Sequence, residues 1–488
     1  MDITSQFQEI EKIISKLNIE EINWIRYSKN IIRIKSFEQF QLIEFSKLIG
    51  ISYKYSSNKI FILIIFSGEF TYILSDQDKM NSEDIIKALD HLSNISDIIF
   101  VWNIKHLAKV YTININSKFI DVQILVNIIL QKKDGIIEFQ SNYHDQVSVF
   151  INSVYKNDSY YYYIPRNILS KSMMYESISA LILGKLLLSL CNKLKMNDLN
   201  KRLLNLSIVL SDIEKNSIKI NIKITKKLIK SGLIFKKQYV NLIKYCSEIK
   251  TNQFPIEYRH LRSKTGRIIF DNKSGVSILS LPDNECRKII VPEFNKFLSM
   301  DIKAAEIFYI IKVNSNFLNN VEINDSFDVY DYILKYAKID KKRDEIKNTI
   351  IKWFYGFHNF TNSEMEIKSL IEEKIPEIVP DQNVYVPIYI QTRFGRIIKV
   401  DKSITKLLNN IPQSEFGDVM IDILIYIWSE IKKNDFRTKI KFIVYDQIIF
   451  DCPNDEIKEV ENIIKLCTDS KLPYRVTIAD NWFEVSKK

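Results

Sequence analysis

Two stretches, FLSMDIKAAEIF (residues 297–308) and KIKFIVYDQIIFDCP (439–453), each place an acidic residue after a run of large apolar side chains. The first predicts a strand that delivers Asp301 at its end, with Glu306 five residues further on. The second predicts a hairpin with Asp446 at its tip, and hairpin geometry would bring Asp446 beside Asp301. Two carboxylates that close are tolerated mainly with metal ions between them, so we expect two divalent ions at these strand ends.

Between the two stretches lies RDEIKNTIIKWFYG (343–356), which predicts a helix. Every fourth residue lies on the same stripe of a helix, which here carries two cations, one aliphatic side chain and one aromatic side chain. These residues are Arg343, Lys347, Ile351 and Tyr355. The cations would reach phosphate and the apolar members a base and sugar. Combined with two metal ions, the stripe fits attack of a 3′ oxygen on a triphosphate with loss of pyrophosphate.

The composition is that of a multidomain globular chain. Its 488 residues, 46% hydrophobic and 12% aromatic, are ample for two or three packed cores. A formal net charge of +10 favours a polyanionic partner without requiring one. The five cysteines form no C-x-x-C pair, which indicates neither a disulfide framework nor a zinc site and suggests a reducing compartment.

We expect no membrane partner, because the apolar run ALILGKLLLSLC (180–191) is short and contains Lys185. We expect no secretory signal, because the stretch MDITSQFQEIEKI (1–13) is polar and helical in period. The expected location is intracellular: the cytoplasm or nucleoid of a bacterium or virus-infected host, or an organelle matrix.

The pattern of apolar residues changes along the chain. Up to residue 195, strand-like runs such as KIFILIIF (59–66) alternate with helical runs such as SEDIIKALDHLSN (82–94), which predicts an α/β domain. From 196 to 253 the pattern is helical and rich in lysine; it suits a duplex backbone and an ordinary solvated helical hairpin equally well. From 254 onward strands and helices mix again.

Several separate motifs in the last 290 residues or so resemble, in the right order, the polymerase module of the family A DNA polymerases, those like bacterial DNA polymerase I. Each motif alone is typical of an ordinary strand end or solvated helix face, and their order carries the resemblance. The similar segments are SDIEKNSIKIN (211–221, start of the thumb), KTGRIIF (264–270, the primer-contacting TGR motif), SMDIKAAEIF (motif A), Arg343 to Gly356 (motif B), QTRFGRIIKV and NNIPQSEFGDVMIDIL (leading to the last palm helix), VYDQ (motif C) and YRVTIADNWFEVSK (the C-terminal strand).

The resemblance implies an α/β multidomain fold: a right-hand polymerase with palm, fingers and a short thumb, preceded by an RNase H-like, exonuclease-type α/β domain. The implied ranges are 1–195 for a degenerate 3′–5′ exonuclease-like domain, 196–255 for the thumb, 256–310 and 405–488 for the palm, and 311–404 for the fingers.

It also implies the roles of individual residues. Asp301 and Asp446 would hold two Mg²⁺ ions and carry catalysis. The dNTP would be bound by Arg343, Lys347, Ile351, Tyr355 and Glu306, the last disfavouring a ribose 2′-OH. Primer–template DNA would be bound by Thr265, Arg267, Arg396 and Gln413. A processivity factor or another replisome protein is a further partner that the resemblance allows.

The chain departs from the family's pattern at several positions. Motif B has Ile351 in place of an aromatic residue, and motif C reads Tyr445-Asp446-Gln447 instead of His-Asp-Glu. The segment ILSLP (278–282) lacks the expected Gln and Asn, and a thumb of about 50 residues between Glu214 and Thr265 predicts low processivity.

In the N-terminal region, the family's Tyr-x3-Asp reads Tyr175-x3-Ser179, and the Asn-x-x-Phe-Asp motif ends in Leu107. No Asp-x-Glu pair precedes them, although Glu44 and Asp121 are present. Since proofreading needs four carboxylates around two metal ions, we expect this domain to be inactive. The alternatives to a replicative polymerase are a non-catalytic DNA-binding replisome scaffold derived from one, and a specialised gap-filling or lesion-bypass polymerase.

Overall fold

The computed structural model separates into two units, Met1–Asp212 and Ile213–Lys488. The division falls inside a helix, Asn197–Lys215. The structure describes residues 30–115, 117–131, 166–231, 252–270, 285–324, 326–355, 357, 359–378, 389–399, 404–468 and 472–486.

The first unit is built on a six-stranded mixed sheet in the order β1-β4-β3-β2-β5-β6. The β2/β3 and β3/β4 pairs are antiparallel, whereas the β1/β4, β2/β5 and β5/β6 pairs are parallel. The strands are β1 Ile31–Ile34, β2 Leu48–Ser56, β3 Lys59–Phe66, β4 Thr71–Ser75, β5 Ile98–Val101 and β6 Phe119–Asp121. Strand β3 is the predicted run KIFILIIF, and it is buried from its second residue to its last because the sheet is covered on both faces.

Helices accompany this sheet, and several of them contact its strands directly. They are α1 Phe37–Gln41, α2 Ser82–Ile95, α3 Ile104–Val110, α4 Val122–Leu130, α5 Arg166–Lys193 and α6 Asn197–Lys215. Helix α5 lies against β2, β3 and β5. The approach is so close that a Cβ at Gly50 would collide with the carbonyl oxygen of Ser177, and one at Gly184 with the ring of Phe100. Glycine at these positions therefore lets the helix and the sheet share one core.

Part of α5, Ile168–Lys193, is long and apolar enough to cross a membrane, by length and composition alone. The sequence prediction considered only the shorter run around Lys185 and did not anticipate this helix length. Of its most apolar window, 61% is buried inside the unit. Burial of that kind is typical of a core helix, so the helix gives no separate argument for a membrane.

The second unit is built on a four-stranded antiparallel sheet in the order β14-β15-β11-β16. Its strands are β11 Lys296–Ile302, β14 Lys439–Val444, β15 Gln447–Cys452 and β16 Tyr474–Ala479. Short two-stranded ribbons accompany it: β7 Ile218–Lys219 with β8 Gln253–Phe254, β9 Tyr258–Arg259 with β10 Ile269–Phe270, and β12 Tyr389–Gln391 with β13 Ile397–Lys399. The predicted strand ending near Asp301 and the predicted hairpin with Asp446 at its tip are both present.

The helices of the second unit include two groups that pack among themselves. Helices α9 Val329–Ala337, α10 Arg343–Phe354 and α11 Asn362–Lys374 pack on one another, while α12 Ile404–Lys433 contacts α8 Ala305–Asn314 and α13 Ile457–Thr468. Helices α7 Ile222–Lys230 and α14 Trp482–Val485 complete the unit. Three parts of the chain covered by the sequence predictions lie outside the described residues: 232–250, the segment ILSLP (278–282) and Gly356.

Candidate active site

A cavity of about 1200 Å³ in the second unit brings together ten of the eleven residues that the sequence predicted for the site. They come from β11, α8, α10, α12, the β14–β15 turn and the loop before β10. The ten are Thr265, Arg267, Asp301, Glu306, Arg343, Lys347, Ile351, Tyr355, Gln413 and Asp446. Arg396 is the exception.

The two aspartates are neighbours because β11 pairs with β15 directly beside the hairpin turn. Asp301 stands opposite Gln447 in the strand register, and the backbone N–H of Ile302 donates to the carbonyl oxygen of Asp446 at 3.3 Å. The turn has only two residues, Tyr445 and Asp446, between the strands, and Tyr445 adopts a left-handed conformation with φ of 57°. Such a conformation is uncommon for an aromatic residue and closes the turn tightly. The two aspartates thus lie at adjacent positions at one end of the sheet.

The third residue of motif C, Gln447, points into the protein interior. Its side-chain amide donates to the hydroxyl of Ser299 at 2.8 Å and to the carbonyl of Val485 at 3.4 Å. The Gln447 amide therefore stabilises the packing of β15 against its neighbours. The family resemblance leads one to expect a third carboxylate at this position.

Arg475 is a site residue that the sequence did not predict. It stands opposite Asp301 in the β11/β16 register, and its Nη2 lies 3.2 Å from Oδ2 of Asp301. The available signal was weak: in YRVTIADNW (474–482) a charged residue at the start of a strand is ordinary, and only the strand pairing shows what it faces.

Glu306 joins two segments that are distant in sequence. Ala304, in a left-handed conformation with φ of 47°, turns the chain from β11 into α8 and places Glu306 in the first helical turn. One carboxylate oxygen of Glu306 accepts from Arg267 and the other from the hydroxyl of Tyr355. Burial raises the pKa of Glu306 above its ordinary value, although the Arg267 guanidinium acts in the opposite direction. Tyr355 directly follows α10 as its C-cap residue. It was predicted to lie within the helix.

Arg343 is held by a carboxylate in this structure. Its Nη2 and Nε lie 2.6 and 3.2 Å from Oδ2 of Asp328, and its guanidinium lies 5.4 Å from the ring centre of Tyr330. Asp328 is also the N-cap of α9, accepting from the backbone N–H groups of Tyr330 and Asp331. Burial raises the pKa of Asp328, but Arg343 and these N–H groups outweigh it and hold the pKa below its ordinary value. Lys347, one turn further along α10, forms no ion pair within the described part of the chain.

Arg396 differs from its predicted role in DNA binding. It is only 5% exposed, and its Nη2 and Nε donate to the two carboxylate oxygens of Asp418 at 2.6 and 3.2 Å. The guanidinium lies directly under Gly266, whose φ of +74° and lack of a Cβ make room for it. Arg396 therefore supports the turn that presents Arg267. The DNA-binding role of Arg396 was implied by the family resemblance, and burial of an arginine is unusual. In the same hairpin the more exposed arginine is Arg393.

The donor set fits divalent ions of the Mg²⁺ type. Mg²⁺ in nucleotide-dependent enzymes is commonly bound by one or two carboxylates together with substrate phosphates and water, and not by a complete protein cage. Asp301 and Asp446 supply two carboxylates at the cavity wall. In the described ranges there is no cluster of three or more His, Cys, Asp or Glu that could hold a metal by itself. The arrangement therefore suits ions completed by a bound polyphosphate.

The fold of this chain has a counterpart among solved structures. The chain superposes on the solved structure of the polymerase domain of Pol1 from M. smegmatis, in complex with DNA primer-template and dNTP, with a TM-score of 0.65. The match covers 92% of this chain and 98% of that one at 12% sequence identity, and it shows a shared fold.

Among curated proteins, the chain is similar to DNA polymerase I of Borreliella burgdorferi. The two are 23% identical over an alignment of 287 residues, which covers 50% of this chain. The match spans about a third, 31%, of that protein's length. No protein-family model matches the chain. The comparisons thus show partial sequence similarity to a DNA polymerase I and a fold shared with a polymerase domain.

Proposed function

We propose that this protein is a template-directed DNA polymerase that adds dNTPs to a primer 3′ end. The observation that carries the proposal is the convergence in one cavity of two adjacent carboxylates, Asp301 and Asp446, with the cations Arg343 and Lys347 of helix α10. In this proposal the four-stranded sheet is the palm, α9 to α11 belong to the fingers, and α6 and α7 to a short thumb.

The chain's own residues would divide the work as follows. Asp301 and Asp446 would hold two Mg²⁺ ions, which when bound activate the primer 3′ oxygen and stabilise the departing pyrophosphate. Lys347 would neutralise the triphosphate, since fixed positive charge stabilises the charge that develops in phosphoryl transfer. Arg343 would do so after exchanging Asp328 for phosphate. Ile351 and Tyr355 would contact the base and sugar.

The remaining residues would select and hold the substrates. Glu306 would fill the space beside the sugar 2′ carbon. Arg267 and Gln413, both on the cavity wall, would contact the primer and template. Primer–template DNA, dNTPs and a processivity factor are the proposed partners. Low processivity follows from the short thumb, and an intracellular location from the same proposed role.

For the first unit we infer a degenerate, non-hydrolytic exonuclease-like domain. Ser179 accepts from the indole N–H of Trp102, and the neighbouring Glu176 is bound by Lys54, whose amine lies 3.1 and 3.0 Å from its two carboxylate oxygens. Ser52, two residues before Lys54 on β2, also bonds to Glu176. Glu176 is thus the one carboxylate in this group of Ser52, Lys54, Glu176 and Ser179, where a two-metal hydrolytic site needs several.

The other candidate carboxylates of this unit are used elsewhere. Asp121 is buried and accepts from the backbone N–H groups of Asn103, Ile104 and Gln123 at 2.8–3.1 Å. Glu44 is exposed in the loop before β2. Neither arrangement favours metal binding.

The proposal is tested by replacing each site carboxylate with its neutral isostere. Asp301→Asn and Asp446→Asn should each abolish dNTP incorporation in Mg²⁺ while primer–template affinity stays within a few-fold, because the carboxylates act on the chemical step and basic surfaces carry DNA binding. Primer extension and fluorescence anisotropy measure the two quantities. Asp480→Asn, an exposed carboxylate that pairs with Lys296 at the other end of the sheet, is the matched control and should extend primers normally. Extension by either site variant above background would refute the assignment.

One observation favours the alternative of a non-catalytic DNA-binding scaffold: Arg475 neutralises Asp301. The same measurements separate the two, since a scaffold binds primer–template DNA and extends nothing. A gap-filling or lesion-bypass enzyme would extend primers across short gaps or damaged templates.

A further inference from the structure

The ion pair between Arg475 and Asp301 lies where the proposed metal site needs negative charge. Both residues line the cavity, with side chains 35% and 18% exposed, so the pair is reachable from solvent. Strand pairing fixes their proximity, because they are directly opposite each other on β11 and β16. A cation bonded to Asp301 competes with any metal ion for the same carboxylate oxygen.

The surrounding charges strengthen this effect. The residue after Asp446 is the neutral Gln447, whose amide is bound to Ser299. Lys303 also lines the cavity next to Asp301. Asp301 therefore faces one firmly placed positive charge, with no third acidic side chain from motif C to balance it. Glu306 and Asp328, on the same cavity wall, are already paired with Arg267 and Arg343.

We propose that Arg475 is a positioning residue that acts as a displaceable counter-ion of Asp301. It weakens the binding of a divalent ion to the free protein. The ion then binds well only together with a nucleoside triphosphate, whose negative charge offsets the positive charge of Arg475. Metal binding and dNTP binding are then thermodynamically coupled. The metal site itself rests on the proposed function.

Equilibrium binding of Mn²⁺, followed by the EPR signal of the free ion, tests the competition without any catalytic readout. Arg475→Gln should bind Mn²⁺ about tenfold more tightly than the wild type, within the 5- to 150-fold range usual for coupled sites. Arg475→Lys, which keeps the charge, should stay close to the wild type. Lys296→Gln, the same charge change at the far end of β11, should alter binding less than about twofold, because solvent and salt screen charges at that distance.

Two further arms make the outcome decisive. In Arg475→Gln/Asp301→Asn the gain in Mn²⁺ affinity should disappear, and thermal melting of every variant verifies folding. Adding a non-hydrolysable dNTP should narrow the difference between wild type and Arg475→Gln. Unchanged or weaker Mn²⁺ binding in a folded Arg475→Gln protein, or a gain that survives in the double variant, would overturn the inference.

The activity measurement is separate. The Mg²⁺ concentration for half-maximal primer extension should fall in Arg475→Gln by a factor similar to the gain in Mn²⁺ affinity. If the wild type extends no primer under any condition, the proposed function fails, while the Mn²⁺ measurements still decide whether Arg475 opposes metal binding at Asp301.

Discussion

Glu306 shows how a single side chain can couple two parts of a cavity. Arg267 reaches it from the loop before β10 and Tyr355 from the end of α10, so both hydrogen-bond donors depend on one carboxylate. The carboxylate was predicted from its place after Asp301, but its two partners were predicted for other tasks. Their roles in the site are therefore linked through Glu306.

This linkage gives a prediction for sugar selection. Glu306→Ala should raise the ratio of rNTP to dNTP incorporation, because truncation opens space beside the sugar 2′ carbon, and it should lower incorporation overall because Arg267 and Tyr355 lose a shared acceptor. Single-nucleotide kcat/KM values for both substrates measure the effect. Glu306→Gln, which keeps the volume, is the control and should retain discrimination. Equal discrimination by wild type and the Ala variant would show that another residue excludes ribose.

Asp121 provides a prediction of pH dependence in the first unit. Burial raises its pKa to about 6, above the ordinary range of an aspartate, although four backbone N–H groups act to lower it. Because the folded protein favours the protonated form, the contribution of this group to the free energy of unfolding is fully present below about pH 4 and is lost as the pH rises through about 6. The loss between pH 4 and pH 7 is about 2 kcal/mol.

Urea unfolding of wild type and Asp121→Asn measures this difference. The asparagine does not titrate, so the stability of the variant relative to the wild type should improve as the pH rises from 4 to 7. A constant difference over that range would mean that Asp121 does not titrate there, and that its carboxylate is stabilised more by its N–H donors than opposed by burial.

The site residues that could be predicted were those marked by a local sequence pattern. Asp301 and Asp446 follow apolar strands, and Arg343 and Lys347 recur on a helix stripe, so sequence spacing located them. Arg475 acts through its place in the sheet register, a contact between segments 174 positions apart. The burial of Arg396 likewise depends on a carboxylate from another element, which no local pattern shows.

At the scale of secondary-structure elements, helices α9 and α10 are tied together by the Arg343–Asp328 pair. In the proposed function Arg343 binds the triphosphate, so nucleotide binding must replace the Asp328 carboxylate with a phosphate as the partner of Arg343. Asp328 cannot simply be removed without cost, because it also caps α9.

Asp328→Asn separates the two roles, since asparagine is an equally good N-cap but carries no charge. We expect KM for dNTP to fall severalfold, because Arg343 no longer has to leave an ion pair, and Arg343→Ala should raise KM. Steady-state incorporation kinetics measure both. Asp344→Asn removes the other, more exposed carboxylate near Arg343 and should have little effect. A higher KM in Asp328→Asn would mean that Asp328 orients Arg343 for the nucleotide.

The elements themselves were largely predictable, whereas their arrangement was not. Short, continuously apolar runs such as KIFILIIF form single strands, as their length and composition predict. The order β1-β4-β3-β2-β5-β6 depends on which strand edges meet across the folded unit, and sequence pattern does not encode that directly. The length of α5 was underestimated because its apolar stretch is interrupted by charged and polar residues that a helix tolerates.

At the scale of the whole molecule, the chain divides its chemistry unequally between the two units. Every residue lining the candidate cavity lies in Ile213–Lys488. In the first unit, Glu176 is neutralised by Lys54 and Asp121 serves as a helix cap. The proposed polymerase would therefore synthesise DNA without editing it.

A mismatched primer tests this consequence on the full chain. With dNTPs withheld, a labelled mismatched 3′ end should remain intact in Mg²⁺ or Mn²⁺. Among the described residues, Glu176 is ion-paired with Lys54 and has Ser52 and Ser179 beside it, where hydrolysis needs several carboxylates around two metal ions. Asp301→Asn is the control that removes any contribution from the polymerase site. Stepwise shortening that persists in Asp301→Asn and is lost in Glu176→Gln would show that the first unit still hydrolyses DNA. An intact 3′ end in all three proteins leaves misincorporated nucleotides to be removed by another enzyme.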